Sequence, residues 1–122
     1  MSKNWEEEYG YSDAVRSGDL LFCSGQVGLE ADGSAPSDPE RQYDLAFATL
    51  GRLLAEHGAG PSDLVELMSF HVDFPRHMTE FMAAKARFQN GARPAWTAVG
   101  VTALGMPGIV VEVKATARIP GA

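Results

Sequence analysis

The sequence predicts an α+β domain with the element order β-β-α-β-α-β-β. Three observations carry this: a Ser17-Gly18-Asp19 turn between two short strand-like runs, an amphipathic stretch opening on Asp38-Pro39-Glu40, and a polar–apolar alternation from Met68 to Phe74. With 122 residues and 45% hydrophobic content, the chain is one domain in size. Such a domain buries roughly two-thirds of its unfolded surface, so it needs neither disulfides nor a metal to hold a core.

Residues 1–10 read as an N-terminal arm and residues 11–120 as a single domain. Tyr11 to Arg16 is short and mixed, and Leu20 to Val27 is apolar. The Gly-Asp pair between them suits the positive φ of a tight turn, so the two runs form a hairpin. Gly28 to Ser37 holds Asp32-Gly33 and Pro36 and is loop. Asp38 then offers an N-cap, and Pro39 stands where a helix has no use for an amide donor. Tyr43, Phe47, Leu50 and Leu54 recur on one face, and Gly58 ends the helix after His57.

Gly60-Pro61-Ser62-Asp63 breaks the chain before a strand over Leu64 to Phe74. Within it Met68, Phe70, Val72 and Phe74 alternate with Ser69, His71 and Asp73, giving two unlike faces, and Pro75 stops the run. Met78, Phe81, Met82, Lys85 and Phe88 follow at helical spacing, closed by Asn90-Gly91. Trp96 to Thr102 and Ile109 to Arg118 read as the last two strands, separated by the turn Gly105-Met106-Pro107-Gly108.

Each helix lies between strands of one sheet, which places both on the same face. Leu20-Leu21-Phe22 and Ile109-Val110-Val111 are nevertheless apolar on both faces. Apolar side chains on an uncovered face call for another subunit, so the pattern predicts a homo-oligomer.

Ten basic against 16 acidic residues leave a formal charge of −6. Phosphate neutralisation supplies most nucleic-acid affinity, so this balance disfavours RNA and anionic membranes as partners. No run approaches the 18 apolar residues of a membrane span, and Met1 to Gly10, with Glu6-Glu7-Glu8, has no apolar segment of a secretory signal. The expected location is cytoplasmic. Cys23, the single cysteine, excludes an internal disulfide and reads as a buried small hydrophobe.

Few motifs carry chemistry. His57, His71 and His77 have no metal-ligand spacing, and His71 reads as a structural or interface histidine. Gly25-Gln26-Val27-Gly28 lacks the remaining glycines of a phosphate-binding fingerprint, and Ser24-Gly25 lacks the flanks of a nucleophile elbow. Glu112 and Lys114 share one face of the last strand, where a solvated surface pair is the plain reading, and Trp96 reads as core or interface. No metal and no cofactor are expected.

Taken together, Tyr11 to Phe22 with Ser24-Gly25-Gln26-Val27, then Arg93-Pro94-Ala95, then Val111-Glu112-Val113-Lys114-Ala115, resemble the YjgF/RidA (endoribonuclease L-PSP-like) family over residues 9 to 120. Trp96 to Thr102 and the ending Lys114 to Pro120 are most similar to its YjgH-like branch. The resemblance implies a chorismate-mutase-like fold, a homotrimer with a barrel core and helices outside, and small-molecule clefts between subunits. For RidA-type members it also implies cofactor-free hydrolysis of enamines and imines.

Carried over by resemblance, Tyr11 stands at the family's cleft tyrosine and Gly25 at the glycine whose backbone faces the ligand. The arginine that grips the substrate carboxylate in deaminating members is Trp96 here. The water-positioning glutamate of the final strand is Lys114, with Glu112 retained two residues earlier, and the cleft asparagine of the helix is Lys85. An indole cannot make the bidentate, charge-assisted pair of a guanidinium, worth about 1.5–3 kcal/mol. A charged lysine cannot take a proton from water, and Arg93 stands three residues from the lost arginine.

The expected function is therefore small-molecule binding at Tyr11, Gly25, Lys85, Trp96, Glu112 and Lys114, with Glu112 and Lys114 as catalytic candidates. An enamine, imine or related carbonyl would be the substrate, without efficient 2-iminobutanoate deamination. A lysine nucleophile at Lys114 is a further route. The alternatives are an endoribonuclease-type translation inhibitor, against which the charge counts, and a non-enzymatic regulator or holdase.

Overall fold

A computed structural model describes residues 4–121, and the first three residues of the N-terminal arm lie outside them. The chain forms a helical turn α1 (Trp5–Tyr9), strands β1 (Ala14–Ser17) and β2 (Leu20–Gln26), helix α2 (Pro39–Glu56), strand β3 (Leu64–Val72), helix α3 (Met78–Gln89), and strands β4 (Ala95–Val101) and β5 (Val111–Arg118). The expected order is thus present, with one addition: residues 5–9 of the arm are helical. The five strands form one mixed sheet in the order β1-β2-β5-β3-β4. Only β3 and β4 run parallel, and β4 is an edge strand.

Local chemistry explains the boundaries. Ser17 pairs with Leu20, leaving Gly18 and Asp19 as a two-residue turn in which Gly18 takes φ 63°. Asp38 caps α2 by accepting from the Glu40 amide at 3.1 Å. Asp73 adopts φ 67° and ends β3 two residues before Phe74, which is exposed rather than part of the strand. The last strand starts at Val111 rather than Ile109 because the Val110 amide donates to the Gln42 side chain instead of to a neighbouring strand.

Both long helices pack on one face. Tyr43, Phe47, Leu50 and Leu54 of α2 and Phe81 of α3 share one core with Leu21, Cys23, Leu67, Val111, Val113, Ala115 and Ala117. Phe47 stacks on Phe88 at 4.9 Å, and Tyr43 meets Phe81 edge-on at 5.4 Å. Met82, read from its spacing as part of the apolar stripe of α3, is instead half-exposed. Cys23 is buried, and burial pushes its thiol up to about 11, as befits an inert packing residue.

The unlike faces of β3 are the reverse of a simple apolar-inside pattern. Ser69 and His71 stand opposite Val113 and Val111 and face the helices, both buried. Met68 and Phe70 stand opposite Lys114 and Glu112 and face away from the helices. Val15 and Phe22 pair on that same outer face and are exposed. The uncovered face therefore carries apolar side chains of β1, β2 and β3 on either side of the polar Glu112, Lys114 and Thr116 of the central strand β5.

Candidate functional site

The candidate residues fall into three places. Tyr11, Gly25 and Glu112 line one groove. Its floor is the irregular stretch of β2, where the register with β5 shifts between Cys23 and Gln26. The Ser24 amide and hydroxyl donate to Asp13 O at 2.8 Å and Ser12 O at 2.7 Å, tying the residue after Tyr11 to the floor. Glu6 of α1 accepts from the Asp13 amide at 2.7 Å, which draws Trp5 and Tyr9 to the rim.

Gly25 lies directly beneath the Glu112 carboxylate. A Cβ built at Gly25 would overlap Glu112 Oε2, with Cγ only 2.8 Å away, so the absence of a side chain is what lets that carboxylate lie there. Burial raises the Glu112 carboxyl above the usual carboxylate range. Burial also raises the Tyr11 phenol, reinforced by Asp13, Glu6 and Glu112. Neither group has an ion-pair partner among the described residues.

The groove is wide and acidic. Its volume is about 1580 Å³, above the roughly 300–1,000 Å³ of an enclosed ligand site. Glu6, Asp13, Glu30, Asp32, Glu56 and Glu112 line it together with Arg52. That lining repels a phosphate backbone, in keeping with the net charge.

Trp96 and Lys85 lie elsewhere, where α3 covers the edge strand β4. Lys85 Nζ stands 4.2 Å from the centroid of the Trp96 ring, a cation–π contact, and burial lowers the lysine's pKa. The indole is half-buried, and its Nε1–H donates to Ser69 Oγ at 2.9 Å. Ser69 Oγ is in turn 2.8 Å from His71 Nε2. His71 packs edge-on against Phe81 at 4.5 Å, and burial lowers its pKa to about 4, so it is neutral at pH 7. It is a structural histidine, as its isolation in the sequence suggests.

Lys114, two residues beyond Glu112 along β5 and opposite Met68, shares the uncovered sheet face with it but does not line the groove. Within one chain it joins neither the groove nor the Trp96–Lys85 pair. Sequence reasoning missed Ser69, because a lone serine in an alternating strand carries no sign of which tryptophan it will meet. It also missed the rim residues Trp5 and Tyr9, taken only as part of the N-terminal arm. Among the described residues no group of three His, Cys, Asp or Glu side chains is arranged to hold a metal, and no helix is long and apolar enough to cross a membrane.

Comparison with known proteins places this geometry. A family profile described as Endoribonuclease L-PSP matches residues 1–119. The RutC family protein YjgH of Escherichia coli is 45% identical over 114 residues, which cover 93% of this chain and 86% of that protein. A solved structure of protein YjgH superposes with a TM-score of 0.86 at 41% identity, covering 100% of this chain and 93% of the other. A member of the YjgF/YER057c/UK114 family from Mycobacterium tuberculosis superposes with a TM-score of 0.85 at 31% identity, covering 96% and 93%.

Proposed function

The chain belongs to the Endoribonuclease L-PSP (YjgF/Rid) family, and from that premise we propose that it binds a small carbonyl, enamine or imine metabolite in clefts between the subunits of a homotrimer. Hydrolysis of such a compound is the family chemistry in view, with 2-iminobutanoate a poor substrate. The observation that carries this reading is Trp96. It occupies the position where deaminating members carry the carboxylate-gripping arginine, and its ring is already faced by the Lys85 ammonium at 4.2 Å.

The trimer is supported by the apolar outer face with Val15, Phe22, Met68 and Phe70, since burying it removes apolar area from water. A neighbouring copy would also narrow a groove too wide to hold a small ligand by itself. In that arrangement Tyr11, Gly25 and Glu112 of one subunit, with Lys114 on the same sheet face, look toward a neighbour that contributes an aromatic and cationic wall from Trp96 and Lys85. Glu112, protonated more readily than an ordinary glutamate, suits a role in proton transfer at such a site. Lys114 and Arg93 remain the further cations to examine.

The test is ammonia release from freshly generated 2-iminobutanoate, comparing the native protein, its Trp96→Arg variant and buffer. No release above buffer by the native protein is the expected result. Turnover by the native protein would overturn the exclusion of 2-iminobutanoate and show that another cation has replaced the arginine.

A further inference from the structure

Trp96 is held by a polar pair buried beneath it. An indole nitrogen can only donate, so the 2.9 Å contact makes Ser69 Oγ the acceptor. The serine proton then needs an acceptor of its own, and Ser69 is fully buried. His71 Nε2, 2.8 Å away, supplies it. The opposite direction, with Nε2–H donating to Ser69, would leave the hydroxyl proton without a partner inside the core, which is costly. A chain of bonds running Trp96 Nε1–H to Ser69 O–H to His71 Nε2 satisfies the buried hydroxyl as both acceptor and donor.

The parts of this chain come from two strands. Leu67 is the direct partner of Trp96 in the parallel β3–β4 pair, and Ser69 is the next inward residue along β3. His71 is one inward position further and is fixed by Phe81, which itself lies 6.3 Å from Trp96. The indole thus has its N–H edge anchored inward while its ring meets Lys85.

We propose that Ser69 is a positioning residue for the ligand wall: with His71 accepting its proton, it locks the Trp96 indole in the orientation that presents the ring to Lys85 and to a bound molecule. This rests on the reading of Trp96 as part of the ligand site, and it assigns Ser69 and His71 a specificity role, because a fixed aromatic plane selects flat ligands by preorganisation.

The experiment is ligand-free, so its outcome is independent of whether 2-iminobutanoate is turned over. In a Trp5→Phe background Trp96 is the sole tryptophan, and its indole N–H resonance and the ring-current shifts of the Lys85 side chain are read directly by NMR. Ser69→Ala should move the indole resonance toward that of an unbonded N–H, erase the Lys85 shifts and lower the population of the locked orientation by about fivefold, the factor for one ordinary hydrogen bond. Ser69→Thr, which keeps the hydroxyl, should restore both signals. An unchanged indole resonance in Ser69→Ala, or no recovery in Ser69→Thr, overturns the proposal. Should Ser69→Ala fail to fold, hydrogen exchange at the Trp96 indole decides: slow exchange supports the lock, and exchange as fast as in a free indole overturns it.

Discussion

Lys85 Nζ stands 4.2 Å from the centroid of the Trp96 ring, joining the half-buried flank of α3 to the edge strand β4. A cation over an indole at a partly exposed position contributes about 0.5–1 kcal/mol. Lys85→Met keeps the apolar stem and removes only the charge. It should therefore lower the urea-derived stability by no more than about 1 kcal/mol. A loss of several kcal/mol would mean that the ammonium holds something other than the ring.

His71 should make the protein acid-sensitive. Its pKa in the folded state is about 4, lowered by burial, against about 6.5 in an unfolded chain. As pH falls, the unfolded state takes up the proton first, so the stabilisation present above pH 6.5 is lost as pH falls toward 4 and levels off below. Over that window the loss is about 3 kcal/mol. From pH 7 to pH 4 the melting temperature of the native protein should fall relative to that of His71→Gln, since only the native curve carries this slope. Parallel curves would refute it.

Glu112 titrates in the opposite sense. Burial raises its folded pKa, so its protonated form is the one the fold favours, and that stabilisation is lost as pH rises through the folded value. Glu112→Gln should raise the melting temperature at pH 7, with the gain shrinking on acidification, while any catalytic activity is lost. A variant less stable than the native protein at pH 7 would show that the charged carboxylate is held by a favourable partner.

Two glycines near the groove should respond differently to alanine. At Gly25 the new Cβ meets the flexible end of Glu112, which can swing away. Gly25→Ala should therefore cost little stability but displace the carboxylate and impair ligand binding. At Gly28 the Cβ meets the Gln42 carbonyl oxygen and, at 2.8 Å, the Ala46 backbone nitrogen in α2. Those atoms cannot yield without moving the helix, so Gly28→Ala should cost about 2–4 kcal/mol. Thermal denaturation of the two variants side by side checks the ranking, and equal losses would contradict it.

Gln42 holds the loops around the start of β5. Its buried amide donates to Pro36 O at 2.8 Å and Gly108 O at 2.7 Å and accepts from the Val110 amide at 2.9 Å. Gln42→Leu leaves three backbone groups without their partner, and at 1–3 kcal/mol for each buried group the cost should be roughly 3–5 kcal/mol once water reaches some of them. Chemical denaturation measures it, and a cost below about 1 kcal/mol would mean that these loops are held by other contacts.

The legible part of the fold was local. The Asp38-Pro39 start, the Tyr43-Phe47-Leu50-Leu54 stripe and the Gly18 turn each depend on residues within a few positions of one another, and each is where the sequence places it. The strand ends at Val72 and Val111 were not legible. The first depends on a left-handed Asp73, and the second on a hydrogen bond from Val110 to Gln42, 68 residues away in sequence. Of the candidate site, Tyr11, Gly25 and Glu112 do share a groove. Their assembly depends on a register shift in β2 and on the arm folding back through Glu6, features that no single-strand pattern contains.

The amino-acid sequence by itself determined which residues alternate in β3 and that some apolar surface would remain uncovered, because a period of two is a property of the chain alone. It did not determine which face turns inward. Tertiary structure decided that Ser69 and His71 face the helices while Met68 and Phe70 face out. A buried hydroxyl and imidazole are tolerated only where partners satisfy them, and the Ser69 partner Trp96 arrives from a strand 27 residues further along.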